Sequence, residues 1–361
     1  MGLMPFINPS APPAPSAERN WLTLVRAQVD GALAGLLELP DEVRLDTQWA
    51  EALARVRGVV LRPAERPRAA LLLAGYCLVR GSPVVPAGLW RFAAGLELLH
   101  ASQAIHDEVL RQGDARRPAG LCARLAPERT GEHLAVVVGD HLFARALETM
   151  LEAGVPGAGE AGEHCLRLHR YTSAGLFRAE QGGGLLEPGG VGRAMRLVRL
   201  RAVREGLASS LVCGALLAGA DADTRLRLAR VGLGVGLTVE LRREGAGLGE
   251  GPEAGGGVGF VQGRCGFPLV AAWCRARPEV REELWALAHL APEAREGASL
   301  ARVRGLVEDA GGFAATESVM ARSTFMALRA LASLPNPQGV RDLLQALIGP
   351  MAHQSVRGEA P

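Results

Sequence analysis

LELLHASQAIHDEVLRQGDARRPAG, residues 96–120, sets two histidines, two adjacent acids and an arginine pair into a segment whose remaining residues are largely apolar. Its apolar content and length predict a helix. On that helix His100, Gln103, Asp107, Leu110, Arg111 and Asp114 recur at intervals of three and four and so share one face, while Leu96, Leu99, Ile105 and Val109 mostly point elsewhere. Polar side chains within an otherwise buried segment are costly unless they are paired or bound to something. The stripe therefore forms an internal network, lines a cavity, or is an ordinary ion-pair face such as Asp107 with Arg111. Periodicity alone leaves these three readings open.

The same periodicity extends outward over most of the 361 residues. From Trp21 the apolar positions Leu22, Val25, Val29, Leu33 and Leu36 trace one helical stripe. Comparable segments predict helices at 20–38, 45–57, 67–79, 88–112, 130–153, 160–180, 190–219, 222–243, 265–276, 278–290, 296–310, 314–333 and 337–350. Aromatic residues make up only 4% of the chain, and its apolar content is chiefly Leu, Ala and Val. That composition favours helix packing over a sandwich of strands, and the fold class is read as all-α. The glycine-rich stretch EGAGLGEGPEAGGGVG, 244–259, reads as a mobile loop and lacks the ending of a phosphate loop. The Pro-rich residues 1–20 read as a disordered tail, 21–350 as one helical domain and 351–361 as a flexible C-terminal tail.

Composition also excludes some functions. Lysine and arginine number 40 against 38 acids, a net charge of +2, and the arginines are scattered without interleaved aromatics, so nucleic-acid binding has no support. The six cysteines include no C-x-x-C pair and sit singly, mostly in apolar runs, which suits reduced thiols and a cytoplasmic setting. The apolar runs at 69–79 and 211–220 fall short of the ~20 residues a membrane helix needs, so no transmembrane segment is expected. His133, His141, His164 and His169 show no spacing suited to a zinc site.

The opening stretch resembles the first aspartate-rich region of the trans-polyprenyl diphosphate synthases, in which an E-L-x-H-x-x-x-L-x-H-D-D-x-x-D pattern precedes R-R-G. Other segments resemble that family in the same order. They are AERPRAALLLAGY at 64–76, AVVVGDHLFARALETML at 135–151, GALLAGAD at 214–221, GLGVGLTVELRREGAG at 232–247 and QGRCGFPLVAAW at 262–273. The resemblance implies an isoprenoid-synthase architecture, a bundle of long helices around a central cavity. It also implies the family's chemistry, in which two facing aspartate clusters hold Mg2+ on an allylic diphosphate while basic residues hold isopentenyl diphosphate.

Carried over residue by residue, the resemblance is uneven. Arg68, His100 and Arg117 match isopentenyl diphosphate contacts and Arg116 matches an allylic diphosphate contact, whereas Glu65 stands where the family has lysine. On the metal side Asp107 is kept, Glu108 replaces the second aspartate and Arg111 replaces the last. The second cluster is degenerate, reading Arg243, Glu244, Gly245, Ala246 and Gly247 after Glu240. Arg201 and Arg204 are candidates to stand in for a family lysine-threonine pair near Ala202-Val203, and Arg264 aligns with a later lysine. His106 is expected to be a packed neighbour of the site, and Asp140 to be structural.

Replacing a carboxylate by a guanidinium near a site meant to collect dications adds like-charge repulsion of roughly 4 kcal/mol per pair at ~4 Å. Asp107 is then expected to face a metal site whose opposite wall has lost its ligands. The resemblance thus implies a protein that binds isoprenoid diphosphates, is catalytically impaired, and is a homodimer or a partner subunit of an active prenyl synthase. The alternative is an active prenyltransferase with altered metal use.

Overall fold

The computed structural model describes residues 17–38, 47–62, 64, 66–110, 125, 128–181, 186–187, 189–204, 206–248, 258–261, 263–335 and 342. Among them every regular element is helical. In chain order these are α1 (Ala17–Leu36), α2 (Thr47–Val60), α3 (Pro67–Arg80), α4 (Ala87–Leu110), α5 (Glu128–Leu151), α6 (Ala158–Gln181) and α7 (Gly190–Arg204). There follow α8 (Leu207–Leu217), α9 (Ala222–Ala246), α10 (Val258–Val261), α11 (Phe267–Arg275), α12 (Pro278–Ala288), α13 (Ala298–Asp309) and α14 (Gly312–Ala332), with a 3-10 turn at Pro292–Ala294.

Helix α8 is the central rod, since each of its residues is buried. It packs on α3, α9 and α6, while α4 packs on α5 and α9 on α14. Glycine permits the closest of these crossings. A Cβ on Gly75 of α3 would strike the carbonyl of Leu211, and one on Gly214 of α8 would strike the carbonyl of Leu72. The α1 stripe read from the sequence is in the core, with Val25, Val29 and Leu33 at most 1% exposed. One apolar cluster joins α1–α6, α8, the start of α9 and the end of α14, and a second joins α7, the later part of α9 and α10–α14. The polar site lies where the two clusters meet.

The start of α3 is built from charged groups. Arg66 adopts left-handed φ of 47°, a conformation costly for a side chain with a Cβ, immediately before Pro67. Its guanidinium holds that geometry by donating to Asp30 Oδ1 at 2.7 Å and to the Val60 carbonyl at 2.8 Å, which ties α1, the end of α2 and the start of α3 together. Glu97 of α4 accepts a hydrogen bond from the Ala69 amide at 3.1 Å, satisfying an otherwise orphaned donor of the first turn of α3.

The helix boundaries differ from the sequence reading in two informative places. The expected single helix 190–219 is broken, because Gly206 takes φ of 79° and ends α7 before α8 begins. Apolar spacing continues through that point, and the break rests on one backbone angle that glycine allows. The expected loop at 244–259 begins later than read, since α9 continues through Ala246 before turning at Gly247 and Leu248. Burial of Leu241 and Leu248 on the second cluster outweighs the glycine content there. The expected helix 337–350 lies outside the described residues apart from Asp342. Among the described residues no helix is long and apolar enough to cross a membrane.

Candidate functional site

Helix α4 carries the polar stripe into the molecule, and two other helices supply partners for it. Gln103 Nε2 donates to His169 Nδ1 of α6 at 2.7 Å. Burial, then the nearby Arg204 charge, lowers the His169 pKa, so the neutral ring that accepts this bond is favoured. Asp107 meets Arg204 of α7 through two bonds, Nη2 to Oδ1 at 2.6 Å and Nε to Oδ2 at 3.2 Å. The partner is a residue 97 positions away, so at Asp107, as at Gln103, the stripe forms an internal network. Arg111, the local alternative, lies outside the described residues.

Arg204 is where it is because α7 ends there. Arg201 and Arg204 occupy its last turn, where the helix dipole favours positive charge, and the Gly206 break turns the chain away behind them. Spaced by three, the two arginines point to different carboxylate groups. Arg201 Nη1 donates to Glu244 Oε1 at 2.8 Å and lies 3.8 Å from Glu240 Oε1. Arg243 Nη2 lies 2.9 Å from Glu240 Oε2. Glu244 Oε2 accepts from the Phe267 amide at 2.7 Å, at the start of α11. Although it has these partners, burial pushes the Glu244 pKa up to about 7, because loss of solvation outweighs the guanidinium beside it.

Two cavities flank α4. One, of about 30 Å3, is bordered by Arg68, His100, Gln103, Cys165, His169 and Arg204 among others. Gly206 forms part of its wall, and a Cβ there would touch the Arg68 guanidinium Nε at 3.5 Å. The other, of about 210 Å3, lies between α2 and α4, where Arg66, Glu97, His100 and Glu108 surround apolar groups such as Val56 and Ile105. His100 belongs to both walls.

The residues singled out from sequence are therefore placed as follows. Arg68, His100 and Asp107 converge on the smaller cavity or its Arg204 wall, and Glu108 faces the larger one. Glu240, Arg243 and Glu244 form one network with Arg201. Arg116, Arg117 and Glu65 lie outside the described residues. His106 packs where expected, its ring over Gly139 so closely that a Cβ there would collide with it, and 3.4 Å from Asp140. Opposite Asp107, where the resemblance implied a wall that has lost its metal ligands, stands Arg204. Sequence reading missed His169 as the partner of Gln103. The available signal was that Cys165 and His169, four apart, share a face of α6.

These residues do not fit Mg2+. A hard dication needs several free carboxylate or carbonyl oxygens. Asp107 spends both oxygens on Arg204, while Glu240 and Glu244 are engaged by Arg201, Arg243 and a backbone amide. Among the described residues no three His, Cys, Asp or Glu side chains gather as a metal set. What the arrangement offers instead is fixed positive charge and forked N–H donors, the groups that recognise phosphate oxygens.

No protein-family profile matches the chain. Over 197 residues, 55% of this chain and 54% of the relative, it is 27% identical to a Sinorhizobium fredii protein named "Probable farnesyl diphosphate synthase". Over 66 residues, 18% of this chain and 19% of the relative, it is 38% identical to heptaprenyl diphosphate synthase component 2 of Geobacillus stearothermophilus. The chain spans about half the length of the curated farnesyl synthase relatives it matches. In three dimensions it matches geranylgeranyl pyrophosphate synthase from Corynebacterium glutamicum, solved with isoprenyl diphosphate and magnesium, with a TM-score of 0.75. That match covers 94% of this chain and 99% of the other at 19% identity, a likeness of fold. The chain is thus similar in sequence, over part of its length, to proteins named as farnesyl and heptaprenyl diphosphate synthases, and it shares the all-α fold of the polyprenyl synthases.

Proposed function

We propose that this chain binds isoprenoid diphosphates without Mg2+ and does not itself elongate them at a useful rate. One observation carries the reading: the retained carboxylate of the first cluster and Glu244 at the second are each paired with an arginine of α7, and Glu240 with Arg243 of α9. A guanidinium balances one negative charge where a metal would balance two, and it cannot accept the leaving group's oxygens as ligands. Arg68 and His100, with Arg116 and Arg117, are the residues assigned to the diphosphate. An incoming diphosphate competes with Asp107 for Arg204. Chain elongation requires a metal to draw charge onto the departing diphosphate, and a loss of about 1.4 kcal/mol in that stabilisation slows the step tenfold.

The test is calorimetric titration of isopentenyl and geranyl diphosphate into the full chain in the presence of a chelator. Binding is expected, and a strict requirement for Mg2+ overturns the proposal. Incubation with labelled isopentenyl diphosphate, an allylic primer and Mg2+ or Mn2+ separates the two functional readings, since robust product formation establishes an active transferase with altered metal use.

A partner role follows from the surface. Leu134, Val136 and Val137 of α5 and Tyr171 and Phe177 of α6 are large apolar side chains exposed to solvent. We assign this face to pairing with a second copy or with an intact synthase, acting as one helical domain, 21–350, in the cytoplasm. The likeness to a protein named as component 2 of a heptaprenyl synthase supports that assignment. Co-elution with such a synthase and a change in its rate or product length are the expected results; a monomer that alters neither excludes the role.

A further inference from the structure

Cys165 of α6 and Cys213 of α8 face each other inside the core with their sulfurs 3.2 Å apart. Neither is among the residues assigned to the diphosphate. Both are nearly inaccessible, at 3% and 0% exposure, yet Cys165 borders the small cavity that Arg68 and Arg204 also line. We infer that the pair is an oxidative modification site, which hydrogen peroxide entering that cavity closes into an α6–α8 disulfide.

The geometry gives the two thiols different roles. Cys165 has the cavity on one side, and Cys213 sits behind it, its sulfur 3.6 Å from the Ala161 carbonyl. Hydrogen bonding from Cys213, and then from Ser209, holds the Cys165 pKa below its ordinary value, while the same contact and burial raise that of Cys213. Cys165 therefore attacks the peroxide. Its sulfur takes one peroxide oxygen as the O–O bond breaks, giving a sulfenic acid and releasing water. The Cys213 sulfur then attacks the Cys165 sulfur, the S–O bond breaks, and the hydroxyl leaves with the Cys213 proton as a second water. Two thiols are oxidised by two electrons and one peroxide is reduced.

Size selects the oxidant. With no diphosphate bound, a cavity of about 30 Å3 holds one or two water-sized molecules, which favours hydrogen peroxide over a bulky organic hydroperoxide. Cys77, Cys265 and Cys274 are only half-buried and supply an internal comparison.

The experiment treats the folded, reduced full chain with hydrogen peroxide and, in parallel, cumene hydroperoxide, followed by peptide mapping. The expected result is a reducible Cys165–Cys213 peptide with a loss of two hydrogens, forming at least about tenfold faster with hydrogen peroxide. In Cys213→Ala, or in Cys213→Ser should the first not fold, Cys165 is expected to stop at a sulfenic acid that dimedone captures. A crosslink that forms only in urea, equal rates with both oxidants, or an unmodified Cys165 beside oxidised Cys77, Cys265 and Cys274 overturns the inference.

Discussion

Arg204 closes on Asp107 with two hydrogen bonds, joining the end of α7 to the retained carboxylate of α4, and the side chains are only 12% and 23% exposed. An ion pair so placed behaves as an internal counter-ion: each partner is tolerable because the other is present, and removing one leaves a poorly solvated charge.

Asp107→Asn should therefore destabilise the fold by about 2 kcal/mol, since Arg204 keeps its charge and loses its counter-ion. The same substitution frees a guanidinium beside Arg68 and His100. Binding of inorganic pyrophosphate in chelator should tighten, and the opposite pair of results, unchanged melting with weakened binding, contradicts the account. Thermal melts and calorimetry on the two proteins check both parts.

Restoring carboxylates alone should not restore magnesium. Arg243→Asp with Gly247→Asp returns acids to the second cluster, but Arg201 and Arg204 still occupy the charge that a dication would neutralise. No heat of Mg2+ binding is expected from that variant. Adding Arg201→Ala and Arg204→Ala should produce one, because the carboxylate oxygens are then released to a hard cation.

Glu244 sets a pH dependence. Its folded pKa, about 7, lies above the ordinary value near 4.5, so between those values the folded state binds more protons than the unfolded state. Stability consequently falls as pH rises through that window, by about 3 kcal/mol at most, and the loss is complete above pH 7. Glu244→Gln, which keeps an acceptor for the Phe267 amide, should flatten the profile. Melting measured at pH 5 and pH 8 for both proteins gives the comparison.

Gly214→Ala should cost about 2 kcal/mol or more, because the added Cβ meets the Leu72 backbone carbonyl of α3, which cannot rotate out of the way. Ala215→Gly on the same helix lacks that collision and should cost only about 1 kcal/mol from helix propensity, apart from the small packing loss at a buried methyl. Denaturant midpoints of the two variants distinguish a close helix crossing from a general intolerance of α8 to change.

Local pattern was sufficient for the all-α class and for most helices, because the spacing of residues such as Val25, Val29 and Leu33 is itself the cause of the buried stripe. The residues of the candidate site, Arg68, His100, Asp107, Glu240, Arg201 and Arg204, were nameable from co-linear segments of the chain. What the sequence could not state was who partners whom. Asp107 had an arginine four residues away that would have satisfied it locally, and its actual counter-ion stands 97 positions on. That choice depends on the φ of Gly206, which ends α7 where Arg204 can reach α4, and on the packing of two apolar clusters around the polar seam. Charge pairing across a fold is fixed by distance in three dimensions, so only the tertiary structure decided that arginines occupy the wall opposite Asp107.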